Sequence, residues 1–208
     1  MVFVHGLWMS GHESVFLRRD LRARLGARTE VFSYPSVARD VGDNARALSA
    51  FLTSLTASRL DLVAHSLGGL VVLKCLELRP PAAPGRVVLL GSPLQGSATA
   101  RSLARVPLLK AILGRGITQE SVTPEHRSWR GSRELGVIAG NLPLGLGQLF
   151  ASLDVPHDGT VAVQETELPG AADRIVLPVS HTGMVFSPKV SYQCACFLDH
   201  GHFDHDAA

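Results

Sequence analysis

The sequence predicts an α/β fold with a mostly parallel six-stranded sheet and helices on both of its faces. Short apolar segments rich in β-branched residues alternate with longer segments whose apolar residues recur at helical spacing. No repeat, linker or low-complexity tract interrupts this alternation. Residues 1–208 are therefore assigned to a single domain.

Each predicted element rests on a local pattern. The predicted strands are residues 2–4, 30–34, 60–65, 86–91, 135–140 and 174–179. The predicted helices are residues 12–25, a segment from Asp43 through Leu55, residues 67–78, and a segment from Ser187 through Phe197 that Gly201 ends. Asp43 is the candidate N-cap of the second helix, since its carboxylate would accept a free N–H of the first turn.

Composition and charge exclude several classes of protein. The net charge is +2, and the densest basic group, at 18–24, falls between apolar residues, which indicates a solvated helix face rather than a nucleic-acid site. The sequence contains no run of about 20 apolar residues, so no membrane span is expected. Three cysteines do not indicate a disulfide scaffold. The first residues lack the features of a signal peptide, so a cytoplasmic location is expected unless a leader has been removed.

Ser66 lies between a predicted strand and a predicted helix, in the segment LVAHSLGGL at 62–70. A sharp strand–turn–helix connection exposes a nucleophilic serine, and it requires small residues on either side. Ala64 and Gly68 meet that steric requirement. The alternative is that Ser66 only caps the helix. The context favours a nucleophile.

A buried strand that ends in His5-Gly6 predicts a tight turn beside the Ser66 strand. Acyl transfer needs two N–H donors directed at the developing oxyanion. The backbone N–H groups of Leu7 and Leu67 are the candidates for this oxyanion hole. Alternatively, His5 and Gly6 only shape the turn.

A nucleophilic serine requires a base and a carboxylate that orients it, in the chain order serine, acid, histidine. His181 follows the sixth predicted strand directly and is the candidate base. Asp158 follows the fifth strand, with Gly159 allowing a tight turn, and is the candidate acid. The competitors are His126, Asp154 and Asp173, of which Asp173 lies at the opposite end of the sheet.

Three histidines at 200, 202 and 205 lie at the end of the chain near two aspartates. Their spacing matches no metal motif. Residues 199–208 are instead predicted to form a flexible, solvated tail. We expect no metal site and no organic cofactor.

Four motifs carry a family resemblance: HGL at 5–7, AHSLGG at 64–69, HDGTV at 157–161 and SHTGM at 180–184. Together they resemble the α/β-hydrolase superfamily and, more narrowly, compact bacterial triacylglycerol lipases and esterases. Ala64, before the HSLG core, adds to the resemblance, because small Bacillus lipases also carry alanine at this position. The resemblance spans residue 2 to about residue 198, and it implies a minimal α/β-hydrolase that lacks the first strands of larger members.

The predicted activity is hydrolysis of short- to medium-chain carboxylic esters through an acyl-enzyme. The sequence leaves thioester, lactone or amide hydrolysis on the same three residues as an alternative, because this fold hosts many hydrolytic reactions. A non-catalytic interaction module of the same fold is the other alternative, although all three candidate residues are present. The expected partner is a small-molecule or lipid ester.

Residues 97–116 follow the fourth strand and are a candidate short cap over the site. Leu109 and Leu113 would lie on one apolar helical face and, with Trp8, are candidate substrate contacts. An ordinary crossover helix packed on the sheet is the alternative.

Overall fold

The computed structural model describes residues 1–104, 127–144 and 155–207. In this part of the chain, six strands form one sheet in the order β2-β1-β3-β4-β5-β6. The strands are β1 (Val2–Val4), β2 (Glu30–Phe32), β3 (Leu62–His65), β4 (Val87–Leu90), β5 (Leu135–Gly140) and β6 (Asp173–Leu177). All neighbouring strands are parallel, which confirms the predicted fold class.

Helices cover both faces of the sheet. The described helices are α1 (Val15–Leu25), α2 (Val41–Ser54), α3 (Leu67–Leu78), α4 (Ala98–Ala104) and α5 (Pro188–His200). Helices α2 and α3 pack into one apolar cluster, and α1 and α5 pack into the other. Because both faces are covered, the central strands β1, β3, β4 and β5 are buried along their whole length.

The topology gathers the ends of the strands at one edge of the sheet. β3 lies between β1 and β4, with Ala64 paired to Val4 and His65 paired to Leu90. Since the strands are parallel, the residues that follow them emerge at the same edge, where ligands bind in open α/β sheets. His5 and Ser66 both follow their strands directly at this edge.

The start of α2 differs from the prediction. Asp40, not Asp43, is the N-cap, and its Oδ1 accepts the N–H of Asp43 at 2.7 Å. The helix begins earlier because Val41 is buried in the core and extends the apolar face by one turn. Asp43 instead lies in the first turn, where its carboxylate pairs with Arg46.

The end of the chain, predicted as a flexible tail at 199–208, includes residues that pack against the domain. α5 continues to His200, and the residues after it fold back on the domain. Phe203 is buried, with its ring centroid 4.9 Å from that of Phe197, and its N–H donates to the Asp173 carboxylate at 2.7 Å. Burial of this aromatic side chain and the hydrogen bond to Asp173 offset part of the entropy lost by ordering this short segment.

The predicted cap at 97–116 is described only as far as α4. Leu109 and Leu113, and the alternatives His126 and Asp154, lie outside the described residues. Among the helices that are described, none is long and apolar enough to cross a membrane.

Candidate active site

Ser66 has an unusual backbone conformation. Its φ of 54° and ψ of −124° depart from those of strand and helix and form the sharp turn between β3 and α3. The turn is held by two hydrogen bonds: the Ser66 N–H donates to Leu90 O at 2.8 Å, and Gly69 N–H donates to Ser66 O at 3.0 Å. A strained, half-buried serine at a strand–helix junction matches the geometry that the predicted nucleophile requires.

Gly68 allows α3 to approach the end of β1 closely. A Cβ atom at this position would lie 2.5 Å from the carbonyl oxygens of both Val4 and His5. No side chain fits there, so the first turn of α3 packs directly on the backbone that leads into Leu7. The two predicted oxyanion donors, Leu7 and Leu67, therefore come from segments in contact.

His181 lies between Ser66 and Asp158. Its Nε2 is 2.9 Å from Ser66 Oγ, and its Nδ1 is 2.7 Å from Asp158 Oδ2. A carboxylate only accepts hydrogen bonds, so Nδ1 carries the proton and Nε2 is free to accept the proton of the serine hydroxyl. The structure thus brings together the three residues that the sequence singled out.

The Asp158 carboxylate is fixed by its own loop. The side chain is 1% exposed, and Oδ1 accepts the N–H groups of Thr160 at 2.9 Å and Val161 at 2.7 Å. The N–H of His181 donates to the backbone carbonyl of Asp158 at 2.8 Å. The backbone and the side chain of Asp158 therefore each make a hydrogen bond to His181.

The loop that carries Asp158 also holds the start of α4. Thr99 Oγ1 donates to Thr160 O at 2.7 Å, and the N–H of Ala98 donates to the Glu165 carboxylate. Gln95 N–H donates to the backbone carbonyl of Glu165 at 2.9 Å. The start of the predicted cap is thus hydrogen-bonded to the segment that carries Asp158, the acid loop (residues 157–166).

His5 fixes the turn before Leu7. Its Nε2 accepts the N–H of Tyr34 at 3.1 Å, which places the proton on Nδ1, and Nδ1 donates to Gly6 O at 2.8 Å. Burial lowers the pKa of His5, which favours this neutral form. In a trans peptide, C=O and N–H point in opposite directions, so holding Gly6 O also sets the direction of the Leu7 N–H.

The N–H groups of Leu7 and Leu67 have no hydrogen-bond acceptor among the described residues. Donors that are held in place but unused match the requirement of a developing oxyanion. Trp8, the candidate substrate contact beside them, is 57% exposed, and its N–H donates to Ser36 Oγ at 3.1 Å. A contact between Trp8 and substrate stays a prediction.

Two residues near the site were not singled out from the sequence. Tyr34 stacks on His5 with ring centroids 4.3 Å apart, and its hydroxyl donates to His5 O at 2.8 Å. His65 is fully buried, and its Nε2 lies 3.0 Å from His181 O. The sequence offered one signal for His65, since it is a polar residue in the last position of an otherwise apolar strand.

Within the described ranges, no group of three or more His, Cys, Asp or Glu side chains is arranged to hold a metal ion. The histidines near the end of the chain make other contacts. His205 Nε2 lies 3.0 Å from Asp173 Oδ1, and His202 Nδ1 lies 3.2 Å from Phe203 O.

Several solved structures share this fold. The mature lipase BlEst2 of Bacillus licheniformis is 22% identical, with a TM-score of 0.71, over 95% of this chain and 89% of that one. Carboxylesterase CesB of Bacillus subtilis is 15% identical, with a TM-score of 0.59, over 96% of this chain and 83% of its own. The ydeN gene product of Bacillus subtilis is 22% identical, with a TM-score of 0.57, over 87% of this chain and 86% of its own.

No curated protein matches the sequence. A family profile described as a domain of unknown function, DUF7379, matches residues 1–125. This match covers more than half of the chain, including the HGL and AHSLGG motifs. The protein has the α/β-hydrolase fold of bacterial lipases and esterases, and it belongs to the DUF7379 family.

Proposed function

We propose that this protein is a serine hydrolase of carboxylic esters, formed by a single domain, with Ser66, His181 and Asp158 as its catalytic residues. The observation that supports the proposal most strongly is the continuous hydrogen-bond chain from Ser66 Oγ through both ring nitrogens of His181 to Asp158. A serine that only capped a helix would need neither a histidine on its hydroxyl nor a carboxylate behind that histidine.

The proposed reaction proceeds in two halves. Ser66 Oγ attacks the ester carbonyl carbon while His181 Nε2 takes the hydroxyl proton, and Asp158 stabilises the imidazolium that results. The N–H groups of Leu7 and Leu67 bind the oxyanion of the tetrahedral intermediate. His181 then protonates the leaving alcohol, which gives the acyl-enzyme. A water molecule, deprotonated by His181, attacks the acyl carbon, and His181 returns the proton to Ser66 Oγ as the acid is released.

The proposed substrates are short- to medium-chain esters, and the names of the structural neighbours support the ester class. Lipase and carboxylesterase are the activities named for the Bacillus licheniformis and CesB structures. Leaving groups other than alcohols use the same catalytic steps, so matched thioesters, lactones and amides belong in the first substrate panel.

A labelling experiment tests the proposal. A fluorophosphonate probe should attach to Ser66, and p-nitrophenyl butyrate should give a burst of p-nitrophenol equal to the enzyme concentration. Ser66→Ala should abolish both the labelling and nearly all hydrolysis while remaining folded.

Ser92→Ala is the matched control, because Ser92 is a buried serine after the neighbouring strand whose Oγ has no partner among the described residues. It should keep labelling and activity. Near-wild-type activity in a folded Ser66→Ala protein would overturn the proposed function.

A further inference from the structure

His65 lies immediately before Ser66, at the end of β3, and its side chain is fully buried. Its Nε2 is 3.0 Å from the backbone carbonyl oxygen of His181. The two imidazole rings are neighbours, with centroids 4.7 Å apart. One hydrogen bond therefore connects the end of β3, next to the proposed nucleophile Ser66, to the backbone of the proposed base His181.

The chemistry of this contact fixes the protonation of His65. A carbonyl oxygen only accepts hydrogen bonds, so Nε2 carries the proton. The other nitrogen, Nδ1, is buried and has no hydrogen-bond partner in the described part of the chain. A protonated Nδ1 would leave a buried donor, and a charge, without a partner, which is far more costly than an unused lone pair.

The surroundings of His65 favour the same neutral form. Burial lowers its pKa to about 3, and repulsion from His181 acts in the same direction. The hydrogen bond to the His181 carbonyl and, more weakly, the charge of Asp158 oppose this lowering of the His65 pKa, and His5 adds slightly to it. His65 thus does not compete with His181 for the proton that the reaction transfers.

We propose that His65 is a positioning residue: it holds the His181 backbone so that His181 Nε2 stays within reach of Ser66 Oγ. This inference rests on the proposed function. Because His65 and Ser66 are adjacent in the chain, a movement of the turn between β3 and α3 would displace Ser66 and His181 in the same direction. A contact distance of 2.9 Å between Nε2 and Oγ leaves little tolerance, since proton transfer requires hydrogen-bond distance.

Two substitutions at this position separate the hydrogen bond from the volume of the side chain. His65→Leu fills the space but removes the donor, whereas the side-chain amide of His65→Gln retains a donor at a similar distance from the backbone. We expect His65→Leu to lower kcat, and the rate of fluorophosphonate labelling, by roughly 10- to 100-fold with KM changed less than about twofold. His65→Gln should recover most of that loss.

Gln193→Met is the control for instability alone. Gln193 is as fully buried as His65, and its side chain makes two hydrogen bonds to the backbone of Asp204, away from the site. This variant should lose thermal stability yet keep kcat. If His65→Leu were only unstable, it would behave in the same way.

A measurement on the unmodified protein keeps the inference testable if His65→Leu does not fold. Nitrogen-15 NMR of histidine-labelled protein should show His65 protonated at Nε2 and not titrating between pH 5 and pH 8, a range that lies above its pKa of about 3. A neutral His65 protonated at Nδ1 instead of Nε2 would overturn the inference, because Nε2 could then not donate to the His181 carbonyl. So would a folded His65→Leu protein with kcat within twofold of wild type, or no recovery in His65→Gln.

These outcomes are distinct from failure of the proposed function. A wild-type protein that neither reacts with fluorophosphonate nor hydrolyses any ester would contradict the function itself. Labelling that is normal in wild type and unchanged in His65→Leu contradicts only the positioning role.

Discussion

One carboxylate oxygen of Asp158 lies 2.7 Å from His181 Nδ1, while the other accepts the N–H groups of Thr160 and Val161. The carboxylate therefore cannot rotate without losing backbone hydrogen bonds. In Asp158→Asn, the amide oxygen must stay on the two N–H groups, and the NH₂ group then faces Nδ1. His181 would have to accept at Nδ1 and carry its proton on Nε2, where it blocks deprotonation of Ser66.

We accordingly expect Asp158→Asn to lower kcat by about 10⁴-fold, the effect of the equivalent change in a serine protease, with the fold intact. Steady-state hydrolysis of p-nitrophenyl butyrate measures this. Asp154→Asn, the other aspartate in this region, should have a mild effect. If the two effects were reversed, the assignment of the acid would be wrong.

Gly68→Ala should disrupt the site through the backbone. The added Cβ would lie 2.5 Å from the carbonyl oxygens of Val4 and His5, so the start of α3 must move away from β1. We expect a loss of kcat of at least tenfold, because small displacements of catalytic groups are costly, together with a lower melting temperature. Gly42→Ala is the control: its Cβ meets only side chains, the nearest 3.4 Å away, and alanine favours the helix. Unchanged kcat in Gly68→Ala would contradict the role given to this contact.

Stability should fall in mild acid because of the buried histidine His65. Its pKa is about 3 in the folded protein and near the ordinary value of 6.5 in the unfolded chain. Between these values the unfolded state binds more protons, so the free energy of unfolding decreases as pH falls below about 6.5, by up to about 1.4 kcal/mol per pH unit for this group.

Urea unfolding at pH 7, 6 and 5 measures this dependence. His65→Gln should show a shallower dependence than wild type, since glutamine does not titrate. His12→Gln, at an exposed histidine, is the control for removing a histidine. Equal slopes in wild type and His65→Gln would contradict the prediction.

The attachment of α4 to the acid loop bears on substrate range. Thr99 and Ala98 are both hydrogen-bonded to that loop, so the start of the predicted cap is held in place. We expect rates with tributyrin to rise smoothly across its solubility limit, and affinity for p-nitrophenyl esters to increase by roughly 0.8 kcal/mol per buried CH₂ until the pocket ends. A steep rise only once droplets form would reveal a lid that opens at the lipid surface.

Local patterns predicted the parts of this fold that depend on neighbours in sequence. β3 is apolar except for His65, α3 is largely apolar, and the turn between them has the small residues that its geometry demands. Ser66 and His181 could be found because the residues after parallel strands emerge at one edge of the sheet.

Contacts between distant segments could not be predicted in the same way. The hydrogen bond from His65 to the His181 carbonyl depends on how the loop after β6 returns to β3. Phe203 packs against Phe197 because Gly136 has no Cβ, which would lie 2.7 Å from both rings. Nothing in the polar segment around Phe203 indicates that a glycine on a strand leaves room for it.

The positive φ of Ser66 is needed for the sharp turn at the proposed site but lowers the stability of the fold. Such a conformation is strained for any side chain with a Cβ, on the order of 1–3 kcal/mol, and glycine relieves the strain. Of two variants that both lack the hydroxyl, Ser66→Gly should therefore be more stable than Ser66→Ala. Selection for stability alone would favour glycine at this position, so a serine here is a cost in robustness that the proposed catalytic role would account for.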